Sequence, residues 1–366
     1  MRKIQFIACF IAFTTSVCYT SCTESPEPET ENITPPGNDG DPDDQTTTRR
    51  GLFIINEGNF MYENASLSYY DIDSKQVENN VYHRVNGALL GDVAQSASIS
   101  GDNVFIAVNN SNVVRVIDKN TFKSVGKIPE LQSPANIHFI NDEKAYITDL
   151  YAFDIVIFNP KTFDKIGRIE GSSDGPKQQT AETVNPLYTN CWTYTNKVLV
   201  VDTENDKWIN EIEIGSHPTS SVVDKYGKLW TITDGGYPGS PTGYTPPALY
   251  RIDVQTGQVE KEFEFNLGDV ASKVCLNGAK DTLYFINNDI WQMPVTAETL
   301  PEKSFIPNNN ETVYYGLTVD PKTSEIYIAD AIDYSQRGMI YRYNPQGEQV
   351  DAFRVGVIPS GFCFKE

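Results

Sequence analysis

From about residue 50 to its end, the chain alternates short apolar runs of strand length with breaks of Asn, Asp, Gly, Pro and Thr. One unit recurs within this pattern: an apolar residue, an aromatic and a third residue that is usually β-branched. It appears as Leu52-Phe53-Ile54, Val104-Phe105-Ile106, Ala145-Tyr146-Ile147, Leu187-Tyr188-Thr189, Leu229-Trp230-Thr231, Leu283-Tyr284-Phe285 and Ile326-Tyr327-Ile328. A second apolar run follows each copy and ends in a polar or proline turn, at Tyr70-Asp71, Ile117-Asp118, Phe158-Asn159, Val201-Asp202, Ile252-Asp253, Met293-Pro294 and Tyr343-Asn344. The last residues of these pairs are spaced by 47, 41, 43, 51, 41 and 50 positions. Seven β-only repeats of this length predict an all-β fold, a seven-bladed β-propeller of four-stranded antiparallel blades, over residues 50–366.

The third unit shows the four strands most plainly: Ala135 to Ile140 innermost, then Lys144 to Asp149, Ile155 to Asn159 and Lys165 to Glu170. Asn159-Pro160-Lys161-Thr162, Asp118-Lys119-Asn120-Thr121 and Asp253-Val254-Gln255-Thr256-Gly257 are predicted turns whose first side chain caps its own backbone. The first unit begins at its second-strand motif with no inner strand before it. The C-terminal Gly356 to Phe364 alternates like an inner strand, so it is expected to complete the first blade and close the ring.

Ahead of the repeats, Arg2 and Lys3 precede an apolar run from Ile4 to Val17, the pattern of an export signal over residues 1–21. That run is too short to span a bilayer as a permanent anchor. Tyr19-Thr20-Ser21-Cys22 resembles a loose bacterial lipobox, which makes Cys22 the expected lipidation site; plain secretion, with Cys22 incidental, is the alternative. Residues 22–49 read as a disordered linker, because Thr23 to Thr48 carries eight acids, five prolines and no base. A calcium loop over Asn38 to Asp44 lacks the bidentate Glu and the flanking helices that such a loop needs. Past Cys22 the cysteines are Cys191, Cys275 and Cys363, odd in number and in apolar runs, which suits small core residues.

The whole chain of 366 residues has 49 acidic against 29 basic residues, a net charge of −20 that argues against nucleic acid as a partner. Only His83, His138 and His217 could act as base or metal ligand, and no HxH or HxxxH spacing joins them. No nucleophile elbow or phosphate loop appears, so neither a catalytic residue nor a metal is expected. His217 precedes Pro218 at the approach to an inner strand and reads as a loop-fixing residue.

In a propeller, the second-to-third and outer-to-next-inner connections surround the channel mouth on one face, and long loops there are the usual binding equipment. Phe60, Met61, Tyr62, Tyr151, Phe153, Trp192, Tyr194, Tyr237, Tyr244 and Tyr334 fall in or beside these connections. The ends of the second strands add Asn56, Asn109, Asp149, Asp234, Asn287 and Asp330. Flat apolar groups beside amides and carboxylates suit a large planar ligand with polar edges. The alternative is that the aromatics pack their own loops down and the polar residues satisfy backbone groups at the rim.

Leu52-Phe53-Ile54-Ile55-Asn56-Glu57-Gly58-Asn59-Phe60, followed by Asn64-Ala65-Ser66-Leu67-Ser68-Tyr69-Tyr70-Asp71, resembles the opening of the YncE-like, DUF5074-type surface propeller lipoproteins of gut Bacteroidota, among them the BtuG-type cobalamin binders. The resemblance implies a lipid-anchored protein of the outer membrane that faces the cell exterior. It also implies capture of cobalamin or a related corrinoid as cargo, not cofactor, and delivery to a TonB-dependent transporter of BtuB type. Two other readings stay open on the residues alone: a propeller that binds a glycan or peptide or scaffolds an outer-membrane complex, and a propeller-type lyase or lactonase using His138 or His217.

Overall fold

A computed structural model describes residues 50–171, 180–181, 186–192, 195–308 and 312–366. These all belong to one compact unit. The expected signal, linker and Cys22 lie outside the described residues. Seven antiparallel sheets follow one another along the chain, and the inner strand of each packs beside the inner strand of the next until the seventh meets the first. The ring closes as anticipated: Pro359–Lys365 pairs with Gly51–Asn56, in a register running from Gly51 opposite Lys365 to Asn56 opposite Pro359.

The second strands explain the repeat. Each is buried on both faces, so it reads as a continuous apolar run instead of an alternating one. Phe53 and Ile55 face blade two, while Leu52 and Ile54 face blade seven. Phe105 and Ala107 likewise face blade three, and Val104 and Ile106 face blade one. Each of the seven hydrophobic clusters accordingly fills one seam between neighbouring blades, and the seam between the chain ends is built from Leu52, Ile54 and Tyr70 against Tyr327, Ala329 and Ile340.

The aromatic of the motif keys one blade into the next. Phe53 meets Phe122 edge-on at 5.7 Å and Phe105 meets Phe163 at 5.7 Å, in each case at the third-to-outer turn of the following blade. Tyr146 hydrogen-bonds Asp206 in the corresponding turn of blade four, and the Tyr188 hydroxyl donates to the Val254 carbonyl of blade five at 2.8 Å. The turns are held as the sequence predicts: Asp118 Oδ1 accepts from the Asn120 and Thr121 amides, Asn159 Oδ1 from Lys161 and Thr162, and Asp253 Oδ1 from Gln255 and Thr256.

Inner strands are sheet edges whose backbone groups need partners. Serine and threonine supply them across the seams: Ser96 donates to the Ala135 carbonyl at 2.8 Å, Ser98 to Ile137 at 3.1 Å and Ser220 to Val274 at 3.3 Å.

Two elements depart from the four-strand expectation. Blade six has three strands, and a single bridge between Ile290 and Ile306 takes the place of the fourth. Pro294, Pro301 and Pro307 interrupt that stretch, and a proline cannot donate to a ladder. The connection from blade one to blade two contains a short helix, Val81–Asn86, which carries His83 on its exposed side.

Candidate functional site

The second-to-third connections gather on one face, but their polar and aromatic residues take different parts there. Asn56 is fully buried; its Nδ2 donates to Ser68 Oγ at 3.0 Å, and its Oδ1 accepts from the Gly356 amide at 3.0 Å. Asn109 donates to the Ser133 carbonyl at 3.1 Å. Asp149 accepts from the Ser133, Tyr151 and Ala152 amides, and Asp330 from Val313 and Ile332. These four side chains anchor the loops from beneath.

The aromatics lie above them. Phe60, Met61 and Tyr62 are consecutive and 64 %, 76 % and 75 % exposed. Their loop is nonetheless held in shape: Met61 and Glu63 adopt left-handed backbone conformations, the Met61 amide donates to Asp92 at 2.8 Å, and Asn59 Nδ2 donates to the Tyr334 carbonyl at 2.6 Å. The bond from Asn59 couples the loops of blades one and seven, and within blade seven Tyr334 meets Tyr315 edge-on at 5.7 Å. Tyr151 and Phe153, both half-exposed, line a cleft of about 630 Å3 with Leu131, Asp154 and Arg168. That size falls within the roughly 300–1,000 Å3 usual for small-molecule sites.

Blades four and five share a second constellation. The His217 ring, 2 % exposed, sits between Trp192 at 5.7 Å and Tyr237 at 5.6 Å. Its Nε2 is 2.7 Å from Ser240 Oγ and its Nδ1 is 3.3 Å from Asp234 Oδ1, while Trp192 Nε1 donates to Asp234 Oδ2 at 3.1 Å. Serine, histidine and aspartate thus stand in the order of a hydrolase relay. Ser240 is 8 % exposed, its Oγ also lies 3.1 Å from Thr242 Oγ1, and neither described cleft includes it. The arrangement fixes the loop Asp234 to Pro247, which presents Tyr237 and Tyr244, each 42 % exposed. Asn287 lines another cleft of about 420 Å3 with Asp269, Asn288, Asp289 and Trp291 beside the strand missing from blade six. Tyr194 lies outside the described residues.

A group at the channel mouth escaped the sequence reading. Six inner strands carry an irregular pairing near their first residues, which skips Gln95, Ala135, Thr219, Ser272 with Lys273, Tyr315 and Ser360. Such bulges re-aim side chains. Glu57, at the end of the second strand of blade one, accepts from the Tyr315 hydroxyl at 3.2 Å. Burial raises its carboxyl above the usual range against the opposing pull of Lys273, Ser360 and Tyr315. The negative charge of Glu57, with burial, pushes the Tyr315 phenol well up, and burial lowers the Lys273 ammonium. A lysine inside a strand otherwise made of small and apolar residues was the available signal.

The described residues contain no cluster of three or more His, Cys, Asp or Glu suited to a metal, and Cys191, Cys275 and Cys363 form no disulfide with one another. Residues 50–365 match the family described as a domain of unknown function, DUF5074. The chain belongs to that family. No curated protein matches. Among solved structures, this DUF5074 propeller is similar to a quinonprotein alcohol dehydrogenase-like protein of Bacteroides thetaiotaomicron, with a TM-score of 0.64 at 13 % identity over 85 % of this chain and 77 % of that one. It is also similar to the hydrazine synthase of Kuenenia stuttgartiensis, with a TM-score of 0.58 at 15 % identity over 74 % and 89 %. At such identities the likeness is one of fold.

Proposed function

We propose that this propeller is a lipid-tethered cell-surface protein that captures cobalamin or a related corrinoid on its loop-rich face and passes it to a TonB-dependent outer-membrane transporter of BtuB type. The observation that carries the reading is the set of exposed aromatic side chains from blades one, three and five, standing on loops anchored by buried Asn and Asp. A corrinoid is broad, flat and edged with amides, so it needs apolar platforms and hydrogen-bonding groups drawn from several loops at once. Loops already held in place lose little further entropy on binding. The resemblance of Leu52 to Asp71 to the BtuG-type opening points the same way, and Cys22 after an apolar leader supports the tether.

Absorbance-monitored titration with cyanocobalamin tests the cargo. Saturable one-to-one binding is expected, and no spectral change at micromolar protein overturns it. For the tether, Cys22→Ser is expected to move the protein out of the membrane fraction and to abolish labelling by palmitate; an unchanged distribution overturns lipidation at Cys22.

One observation favours a glycan as the alternative ligand. The cleft at Asn287 combines the Trp291 ring with the acceptor groups of Asp269 and Asp289, a pairing that suits a sugar's apolar face and hydroxyls. Glycan-array binding lost in Trp291→Ala would favour that reading.

A further inference from the structure

The cleft of about 420 Å3 beside blade six is lined by three carboxylates, Glu264, Asp269 and Asp289, by Trp291, and by no Lys, Arg or His. The N–H groups of its side chains are already engaged. Asp269 Oδ1 accepts from Asn288 Nδ2 at 3.0 Å, and its Oδ2 accepts from the Asn266 amide at 3.0 Å, Asn266 Nδ2 at 3.3 Å and Asn287 Nδ2 at 3.4 Å. The Trp291 indole N–H donates to the Asn287 carbonyl at 2.9 Å. What stays open is made of acceptors. Asn287 lines the cleft and is only 7 % exposed, yet its Oδ1 has no partner. Asp289 uses Oδ1 for the Asn308 amide at 2.8 Å and has no bond to Oδ2 among the described residues. Glu264 is exposed at the rim. A buried acceptor without a partner is costly to the fold, and a donor that reaches Asn287 through the cleft removes that cost.

We infer that this cleft is a subsite for an amino sugar, whose ammonium donates to Asn287 Oδ1 and the Asp289 carboxylate while its ring lies against Trp291. An ammonium brings three donors and no acceptor, which matches a lining whose open groups only accept. A neutral hydroxyl or an acetylated amine brings lone pairs of its own, and these would face carboxylates. Tryptophan attracts a cation more strongly than the other aromatic rings, and Trp291 is partly exposed. A guanidinium fits less well, because its planar fork takes both oxygens of one carboxylate and Asp269 and Asp289 each have an oxygen engaged within the lining. A volume in the small-molecule range suits a sugar ring better than the narrow stem of a lysine side chain. The inference rests on the glycan alternative, which it narrows to a sugar with a free amine, and is independent of the corrinoid cargo.

Saturation-transfer NMR of the full chain with glucosamine, N-acetylglucosamine and Nα-acetyl-lysine methylamide, at a slightly acidic pH that keeps the amines charged, provides the direct test. Glucosamine is expected to give the strongest response. Asp289→Asn, which keeps the shape and removes the charge, is expected to weaken glucosamine binding about tenfold with the thermal transition retained. Glu264→Gln, a second variant at an exposed position, is expected to weaken it less, about threefold. An equal response to glucosamine and N-acetylglucosamine overturns the ammonium and leaves the glycan alternative standing. A response to the lysine analogue alone overturns the amino sugar and the glycan together, as does silence from every probe. Glucosamine binding unchanged in both variants also overturns the subsite, since a chain of net charge −20 attracts cations at many places.

Discussion

Deleting Pro359 to Glu366 is the sharpest perturbation of the ring. The strand lost is the inner strand of blade one, and its removal uncovers Leu52, Phe53, Ile54 and Ile55, all fully buried. It also removes Phe362 and Phe364, which pack into the seam between the first and last blades, with Phe364 edge-on to Tyr327 at 5.9 Å. Fully burying a side chain of this size contributes about 1.5–3 kcal/mol. Half that for each of the two phenylalanines, with about 1 kcal/mol for each uncovered residue, gives a loss of roughly 5.5–7 kcal/mol. The backbone hydrogen bonds surrendered, worth about 1 kcal/mol each, are roughly offset by the conformational freedom that the chain regains. Against a typical total of about 5–15 kcal/mol, such a loss leaves little stability in any blade, because each leans on two neighbours. Urea unfolding followed by tryptophan fluorescence is expected to show a large fall in midpoint, and a synthetic strand of residues 359–366 added in excess is expected to restore part of it. Removing Glu366 alone, which is exposed, is the control. An unchanged midpoint in the longer truncation would refute closure by this strand.

Three further outcomes follow from the same geometry. Phe105→Ala, which empties a fully buried site shared with Phe139, Phe158 and Phe163, is expected to cost about 3–5 kcal/mol in urea unfolding; a loss under about 1 kcal/mol would contradict the inter-blade role of the motif aromatic. His217→Ala keeps a left-handed backbone at that position and strips Ser240 of its imidazole partner, leaving it Thr242, so a loss of about 1–3 kcal/mol is expected, with altered Trp192 emission; an unaltered spectrum would show that the ring does not position Trp192. Burial pushes the Asp320 carboxyl up, but Arg50 at 2.8 Å and the Lys322 and Thr323 amides outweigh it and hold the group below its ordinary value. A carboxyl depressed in the folded state contributes stability above its unfolded pKa of about 4, and that contribution is lost as pH falls through the lower folded value. Since Arg50 joins the start of blade one to blade seven, native protein is expected to lose more stability than Arg50→Met between pH 5 and about pH 2; equal losses would remove this pair from the acid response.

Much of the fold was legible because a blade is a local object. Its strands are joined by tight turns, so Asp118, Asn159 and Asp253 announce themselves by turn chemistry, and second strands buried on both faces leave the same apolar triplet in every unit. Even the closing strand could be read, since a missing inner strand at one end matched a spare one at the other. The strand absent from blade six was written less clearly, in prolines that could equally have marked a loop beyond a complete blade.

The site divided along the same line. Composition predicted a face rich in aromatics, and Phe60, Tyr62, Tyr151, Tyr237 and Tyr244 are exposed on it, whereas Asn56, Asn109, Asp149 and Asp330, of the same apparent promise, are committed to the loops beneath. Whether a polar side chain faces ligand or backbone depends on what lies within three ångströms of it, which no spacing records. The meeting of Glu57 with Tyr315 was decided by the ring alone. They stand more than 200 residues apart and belong to no repeat, and only a closed ring brings the first blade against the last.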